Sequence, residues 1–326
     1  MGFINSMDIS SRFTDPNVLK IISKIPESDL EDIGMRVERV NQNIKNILVT
    51  GGAGFIGSVL ARKLVLLYPE FNVTVVDKLE YCASLNNLLM IENMPNYSFK
   101  EGDIASFDLV TSILKEKRID TIYHLAAHTH VDNSFVLMKS AAEHLVQAYH
   151  KSFGLPIIIT RSSNIYGPYQ YPEKICPKFI CSLINDGKCF IHGDGSNSRK
   201  YLYVGDLVDA LDLILNLGKI GEVYNIGSDF EISNLDLAKT LLKQFNINDE
   251  KEQEKHLEFV KDRPFNDLRY AVDDTKLKKE LGWKPKISWN YGIIKTIAWY
   301  KENCDKWWGD ISGALVPHPY PLKSRL

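Results

Sequence analysis

Gly51, Gly54 and Gly57 recur at three-residue spacing in TGGAGFIGS, between the apolar run NILVT and the helix-patterned stretch VLARKLVLLY. Glycine at each place has a physical reason. The first makes the tight turn, the second lets backbone approach a pyrophosphate, and the third lets helix pack on strand. The helix start then offers free N–H groups and a positive dipole end to phosphate oxygens. Asp77 follows Gly57 by twenty residues and ends a second apolar run, NVTVVD. A carboxylate there accepts from both ribose hydroxyls and repels a 2′-phosphate, so the expected cofactor is NAD rather than NADP. Asp103, after a third short strand, reads either as an adenine contact or as a plain turn carboxylate.

Other reactive side chains cluster just beyond a fourth strand. His128, His130 and Asp132 stand at the carboxyl edge of that strand, where open parallel sheets do their chemistry. Histidine there has the pKa range of a general base. His124, His128 and His130 share a strand face without composing a ligand set, so no metal is expected. Tyr291 and Lys295 form the sole literal Tyr-x-x-x-Lys, far along the chain in a helical segment, and read as coincidence. The five cysteines, Cys82, Cys176, Cys181, Cys189 and Cys304, are scattered without a C-x-x-C pair and read as free thiols of a reducing compartment.

The elements that must position these groups alternate. Strands at Asn46–Thr50, Asn72–Asp77, around 96–103 and over 120–127 are separated by helical stretches, one of them near 108–117. That order predicts an α/β fold of Rossmann type, a doubly wound parallel sheet with right-handed crossovers. A helix over roughly 133–153, the strand LPIIITR and a helix-rich C-terminal part follow, the last helix near 291–303. Residues 1–43 read as an extension, with Ser28 and Glu31 spaced as a capping box. We expect an NAD-binding domain over 44–175, to which 200–228 returns. A smaller α/β substrate domain over 176–199 and 229–304 and a tail over 305–326 complete the plan. Apolar content of 44% and a net charge of −2 in 326 residues fit a cytoplasmic protein. Neither nucleic acid nor membrane is an expected partner.

Several stretches are particular enough to carry a resemblance. DKLEYCASLNNL, YHLAAHTHVDNS, RSSNIYGPYQYPEKICPKFI, FIHGDGSNSRKYLYVGD, VKDRPFNDLRYAVD and ELGWKP together resemble the dTDP-glucose 4,6-dehydratases, extended short-chain dehydrogenases/reductases. The likeness runs from about Ile44 to Asn303. It implies a homodimeric, NAD-dependent lyase acting on dTDP-glucose or a related nucleotide sugar. In that family a tyrosine takes the O4 proton as hydride leaves C4. A glutamate takes the C5 proton, an aspartic acid protonates the departing C6 hydroxyl, and hydride returns to C6. The resemblance makes Phe55 and Ile56 cofactor contacts, with Asp77 and Lys78 at the ribose and Asp103 and Ile104 at the adenine. Leu125, Ala126, Ala127 and Thr129 would line the crevice between cofactor and sugar. Lys139 corresponds to the lysine of Tyr-x-x-x-Lys. Asn164, Lys174, Ile175, Phe190, His192, Arg199, Asn225, Asp262 and Arg263 would hold the nucleoside diphosphate.

The chain departs from that pattern at one place. VDNSF runs straight into VLMKSAAEHLVQAYHKSFGLP, so the start of one helix joins the end of another. Four residues before Lys139 stands Phe135, which has no hydroxyl to ionise, and no Thr-Asp-Glu triplet occurs anywhere. The expected consequence is a non-catalytic NAD- and nucleotide-sugar-binding protein, or an exon-skipped product of a dehydratase gene. One strand–helix unit would be missing. Either the LPIIITR strand moves beside the fourth strand, or the sheet is interrupted at its centre. The family's dimer contact is built from the two helices merged here, so dimerisation is not expected to carry over.

Overall fold

A computed structural model describes residues 6–38, 40–127, 136–262 and 267–317, with backbone alone over 136–140. Helices α1 (Ser6–Ser10), α2 (Pro16–Ile22) and α3 (Glu27–Leu30) come first. The alternating stretch runs β1 (Asn46–Thr50), α4 (Phe55–Leu67), β2 (Asn72–Asp77), β3 (Tyr97–Glu101), α5 (Phe107–Glu116) and β4 (Thr121–His124). Next come α6 (Val136–Phe153), β5 (Ile159–Ser162), β6 (Asn164–Tyr166), α7 (Ile175–Ile184), β7 (Cys189–His192) and β8 (Ser198–Tyr203). Then α8 (Val204–Leu217), β9 (Val223–Ile226), β10 (Glu231–Ser233), α9 (Asn234–Gln244) and α10 (Glu250–Lys255) follow. The chain closes with β11 (Leu257–Val260), β12 (Arg269–Tyr270), α11 (Thr275–Leu281), α12 (Trp289–Asn303) and α13 (Ser312–Leu315).

Two compact units result. The first holds the described residues up to Ala127 together with Val204–Gly218. Its parallel sheet has the order β3-β2-β1-β4. β1 and β2 are covered on both faces, which is why NILVT and NVTVVD read as unbroken apolar runs. β4 alternates between half-buried and exposed, with Ile122 50% exposed. Among the described residues its ladder is to β1 alone, in the register Ile47 with Thr121 through Thr50 with His124.

The 1–43 extension is part of this unit. Ile9, Ile22, Leu30 and Ile33 are fully buried, and the turn after α3 packs on α4 and α8. Lys63 of α4, wholly buried, donates to the carbonyls of Ile33 (2.9 Å) and Met35 (2.6 Å) and to Asp209 Oδ1 of α8 (2.8 Å). The expected Ser28 cap is not observed. Pro26 precedes α3, placing Ser28 inside the helix where its hydroxyl cannot cap.

The second unit contains 136–203 and 219–317. Its strands form three sheets: β8 between antiparallel β10 and parallel β12, with β6 also on β8; parallel β7–β11; and parallel β5–β9. The LPIIITR strand supplies β5, which pairs in parallel with β9 inside this unit. The division falls before α6 rather than after Ile175, because β5 and β6 find their ladders on β9 and β8. Of the returning segment, only α8 belongs to the first unit. The tail also packs: Trp307 and Trp308 join Tyr169, Tyr171, Trp299 and Tyr300 in an aromatic cluster, and Ala314 is buried. Among the described residues no helix is long and apolar enough to cross a membrane.

Candidate cofactor and nucleotide sites

In the first unit the glycine-rich turn is held from three sides. Gly51 has φ +68°, and a Cβ there would stand 2.8 Å from the Ala126 backbone. A Cβ on Gly57 would stand 2.3 Å from the Gly51 carbonyl oxygen. Both are therefore confined to glycine, one by a left-handed turn beside the post-β4 segment and the other by close helix packing. Gly54 is the N-cap of α4 and has no side chain to cover the N–H groups of Phe55, Ile56 and Gly57. A helix start left open in this way has the free N–H groups that suit an anion.

Asp77 ends β2 directly beneath the turn. Its Oδ2 accepts from the Ala53 N–H at 3.0 Å and its Oδ1 from the Leu79 N–H at 2.9 Å. Burial pushes its pKa up, opposed by those two backbone donors and by Gly54. Each carboxylate oxygen keeps one acceptor site, so Asp77 holds the turn and can still receive ribose hydroxyls. Lys78 pairs with Glu80 at 2.7 Å and lies 3.7 Å from Asp103, and the Glu80 carboxylate holds its pKa up. Asp103 Oδ1 accepts from the Ala105 N–H at 2.9 Å, the turn role left open above. Ile104 packs on the Leu48, Val76 and Ile113 cluster, so much of its side chain serves the core.

Leu125 and Ala126 are fixed by Thr50. The Leu125 N–H donates to the Thr50 carbonyl (3.2 Å) and the Ala126 N–H to Thr50 Oγ1 (3.4 Å), while Oγ1 also meets His124 Nδ1 at 2.9 Å. Ala127 is exposed. Sequence reasoning missed Asn87, whose buried side chain donates to the Ala53 carbonyl at 2.8 Å and braces the turn. Its only signal is a polar residue inside the apolar stretch LNNLLMI.

The nucleotide-site candidates of the second unit fall into separate groups. Asn164 of β6 and Arg199 of β8 lie on adjoining strands, Asn164 in register with Tyr201. Arg199 Nη1 donates to the Ser198 carbonyl at 2.7 Å. Phe190 and His192 share a face of β7, and Gly193, which follows them, lies against the Asp262 carboxylate. Lys174 is the N-cap of α7, paired with Glu173 at 3.1 Å, and Ile175 opens that helix. Asn225 of β9 stands apart, its Nδ2 donating to the Asp273 carbonyl at 3.0 Å. Lys139 falls at the start of α6, its side chain not among those described. Thr129, Phe135, Arg263, His128, His130 and Asp132 lie outside the described residues. Tyr291 is on α12, half exposed. All five cysteines are free thiols, four of them buried.

The family model for GDP-mannose 4,6 dehydratase matches residues 48–138 and 137–296. A trifunctional UDP-glucose 4,6-dehydratase/3,5-epimerase/reductase of Arabidopsis thaliana is 42% identical over 340 residues, 85% of this chain and 50% of that protein. The chain thus spans about half the length of such plant relatives. The dTDP-D-glucose 4,6-dehydratase of Homo sapiens is 40% identical over 334 residues, 84% of this chain and 95% of that protein. Among solved structures, the dTDP-glucose 4,6-dehydratase of Bacillus anthracis in complex with NAD matches with TM-score 0.74 and 31% identity, over 81% of this chain and 98% of that one. The Streptomyces venezuelae enzyme, also with NAD bound, matches with TM-score 0.76. The chain belongs to the dTDP-glucose 4,6-dehydratase family of extended short-chain dehydrogenases/reductases.

Proposed function

We propose that this chain binds NAD and a dTDP-sugar, or a closely related nucleotide sugar, without dehydrating it. The observation that carries this reading is the break in the family match at residues 137–138, between Phe135 and Lys139 in the sequence. The human relative supports it: 84% of 326 residues is about 274, some 60 short of the 334 aligned positions. An apolar stripe of α6, Leu145, Tyr149 and Phe153, left exposed, supports it further. Those side chains recur every fourth residue, the spacing of a helix face made to pack.

On this reading the open start of α4 takes the pyrophosphate of NAD, and Asp77 takes the adenosine ribose and disfavours a 2′-phosphate. Lys139 holds the nicotinamide ribose. Asn164, Lys174, Arg199, Asn225 and Arg263 take the nucleoside diphosphate, the two arginines matching phosphate oxygens in a way lysine does not. NAD, when bound, supplies a hydride acceptor. What this chain lacks is the set of proton-transfer groups: a base for O4, a base for C5 and an acid for the C6 hydroxyl. Proton transfer is worth roughly 10²–10⁴-fold per group, so losing three removes practical turnover. Cytosol is the compartment we infer.

The test is a graft. The human relative's intervening segment is inserted at the 137–138 junction, and binding of NAD and dTDP is measured by calorimetry before and after. The reading requires both ligands to bind the chain as it stands and dehydratase activity to appear only in the graft. A chain that binds neither ligand, or a folded graft that binds both without turnover, overturns it.

A further inference from the structure

Tyr201 of β8 is 4% exposed, and its hydroxyl is buried with no hydrogen-bond partner among the described residues. A buried unpaired hydroxyl is a standing cost to folding, and in native proteins such groups call for an explanation. The register supplies one. Tyr201 is directly opposite Asn164 on β6, and Tyr203 opposite Tyr166. In a parallel pair, register partners project from the same face, as do residues two apart on one strand. Arg199, Tyr201 and Asn164 therefore share one face. The rings agree: Tyr166 meets Tyr201 at 6.2 Å and Tyr203 at 5.5 Å, and Trp289 meets Tyr201 at 5.6 Å. Tyr201 thus lines an aromatic cleft of about 280 Å³, and its hydroxyl is near enough to Asn164 and Arg199 to feel both. Burial pushes its pKa up, Cys176 adds to the rise, and the Asn164 amide and Arg199 guanidinium oppose it.

Resting on the proposed nucleotide-binding reading, we propose that Tyr201 is a positioning residue for Asn164, its hydroxyl fixing which side of the Asn164 amide meets the nucleoside diphosphate. An asparagine amide has a donating and an accepting end, and a ligand selects one. When the NH2 group donates to a ligand oxygen, Oδ1 needs a donor, and the orphan Tyr201 proton is placed to be that donor. Without ligand the Asn164 amide stands near the hydroxyl but outside hydrogen-bond geometry; with ligand its Oδ1 is turned to accept from it.

This arrangement has a signature that an ordinary core tyrosine lacks: deleting the hydroxyl stabilises the free protein and weakens the complex. The experiment uses the full chain as wild type, Tyr201→Phe, Asn164→Ala and the double variant. Thermal unfolding without ligand and calorimetric titration with dTDP are measured for each. Tyr201→Phe is expected to raise the midpoint by about 1–3 °C and to weaken dTDP about 5–10-fold, the worth of one hydrogen bond. In the Asn164→Ala background the same change should cost no further affinity, because the residue it acts through is gone. Wild-type binding with Tyr201→Phe equally tight, or losses that multiply in the double variant, would overturn the inference and leave the binding reading standing. A wild-type chain that does not bind dTDP overturns both.

Discussion

Replacing Lys63 by methionine tests whether the extension is a structural part of the cofactor-binding unit. The Lys63 ammonium is wholly buried, with three donors spent on the Ile33 carbonyl, the Met35 carbonyl and Asp209. Asp212 Oδ2, equally buried, lies 3.5 Å away and also accepts from the Tyr68 hydroxyl at 2.6 Å. Tyr68 in turn accepts from the Val37 N–H, so one cluster ties the extension, α4 and α8 together. Methionine keeps the stem and removes the charge, leaving a buried carboxylate and two carbonyls short of a donor. Removing one partner of such a pair costs about 3–5 kcal/mol. In urea the midpoint should fall with the slope unchanged. The pH dependence has a definite sign. Burial already lifts the Asp212 pKa and the Lys63 charge opposes the rise, so in the variant the folded-state value climbs further above the unfolded one. A carboxylate raised in this way costs stability when ionised and is relieved as pH falls. The deficit of Lys63→Met should therefore shrink from pH 8 to pH 5, and Lys63→Met with Asp212→Asn should lose less than the single change. A loss under about 1 kcal/mol, the range of an exposed ion pair, would refute the reasoning.

Three further outcomes follow from the geometry. Gly51→Ala sets a Cβ 2.8 Å from the Ala126 backbone at φ +68°, so NAD binding should be lost by calorimetry while the second unit's fold, followed by tryptophan fluorescence, persists. Asp77→Asn keeps one acceptor for the backbone N–H groups and gives up the charge, so NAD should bind about tenfold more weakly, with the preference over NADP reduced. The Arg269 guanidinium, with Ser198, holds the Glu231 carboxyl near a pKa of about 2. A depressed carboxylate stabilises above its unfolded pKa and loses that contribution as pH falls through the folded value. Melting temperature should fall between about pH 4.5 and pH 2, and less steeply in Glu231→Gln.

The phosphate loop was legible because it depends on local chemistry. NILVT and NVTVVD are buried on both faces, and Gly57 answers a steric demand set by Gly51 and Gly52, whereas the close approach of Ala126 to Gly51 comes from far along the chain. Asp77 was legible by spacing, although its part in holding the Ala53 and Leu79 N–H groups was not. The extension was illegible for a different reason. Lys63 reads as an ordinary charge on a helix, and its carboxylate partner Asp209 stands 146 residues further on. Nothing local separates that from a solvated lysine. The ladder of β5 to β9 is illegible because a short apolar strand carries no local mark of its partner, and tertiary packing makes the choice. Ser28 does not cap because α3 begins at Glu27, directly after Pro26, which leaves Ser28 within the helix.

Central to the proposed function is that binding survives here without proton-transfer chemistry. The most direct measurement incubates the purified chain with NAD and dTDP-glucose and follows the sugar nucleotide by mass spectrometry, with NAD occupancy read in parallel. The account predicts bound NAD and no product lighter by one water. Loss of water at an enzymatic rate would contradict it, and His128 and His130 would then be the first residues to replace.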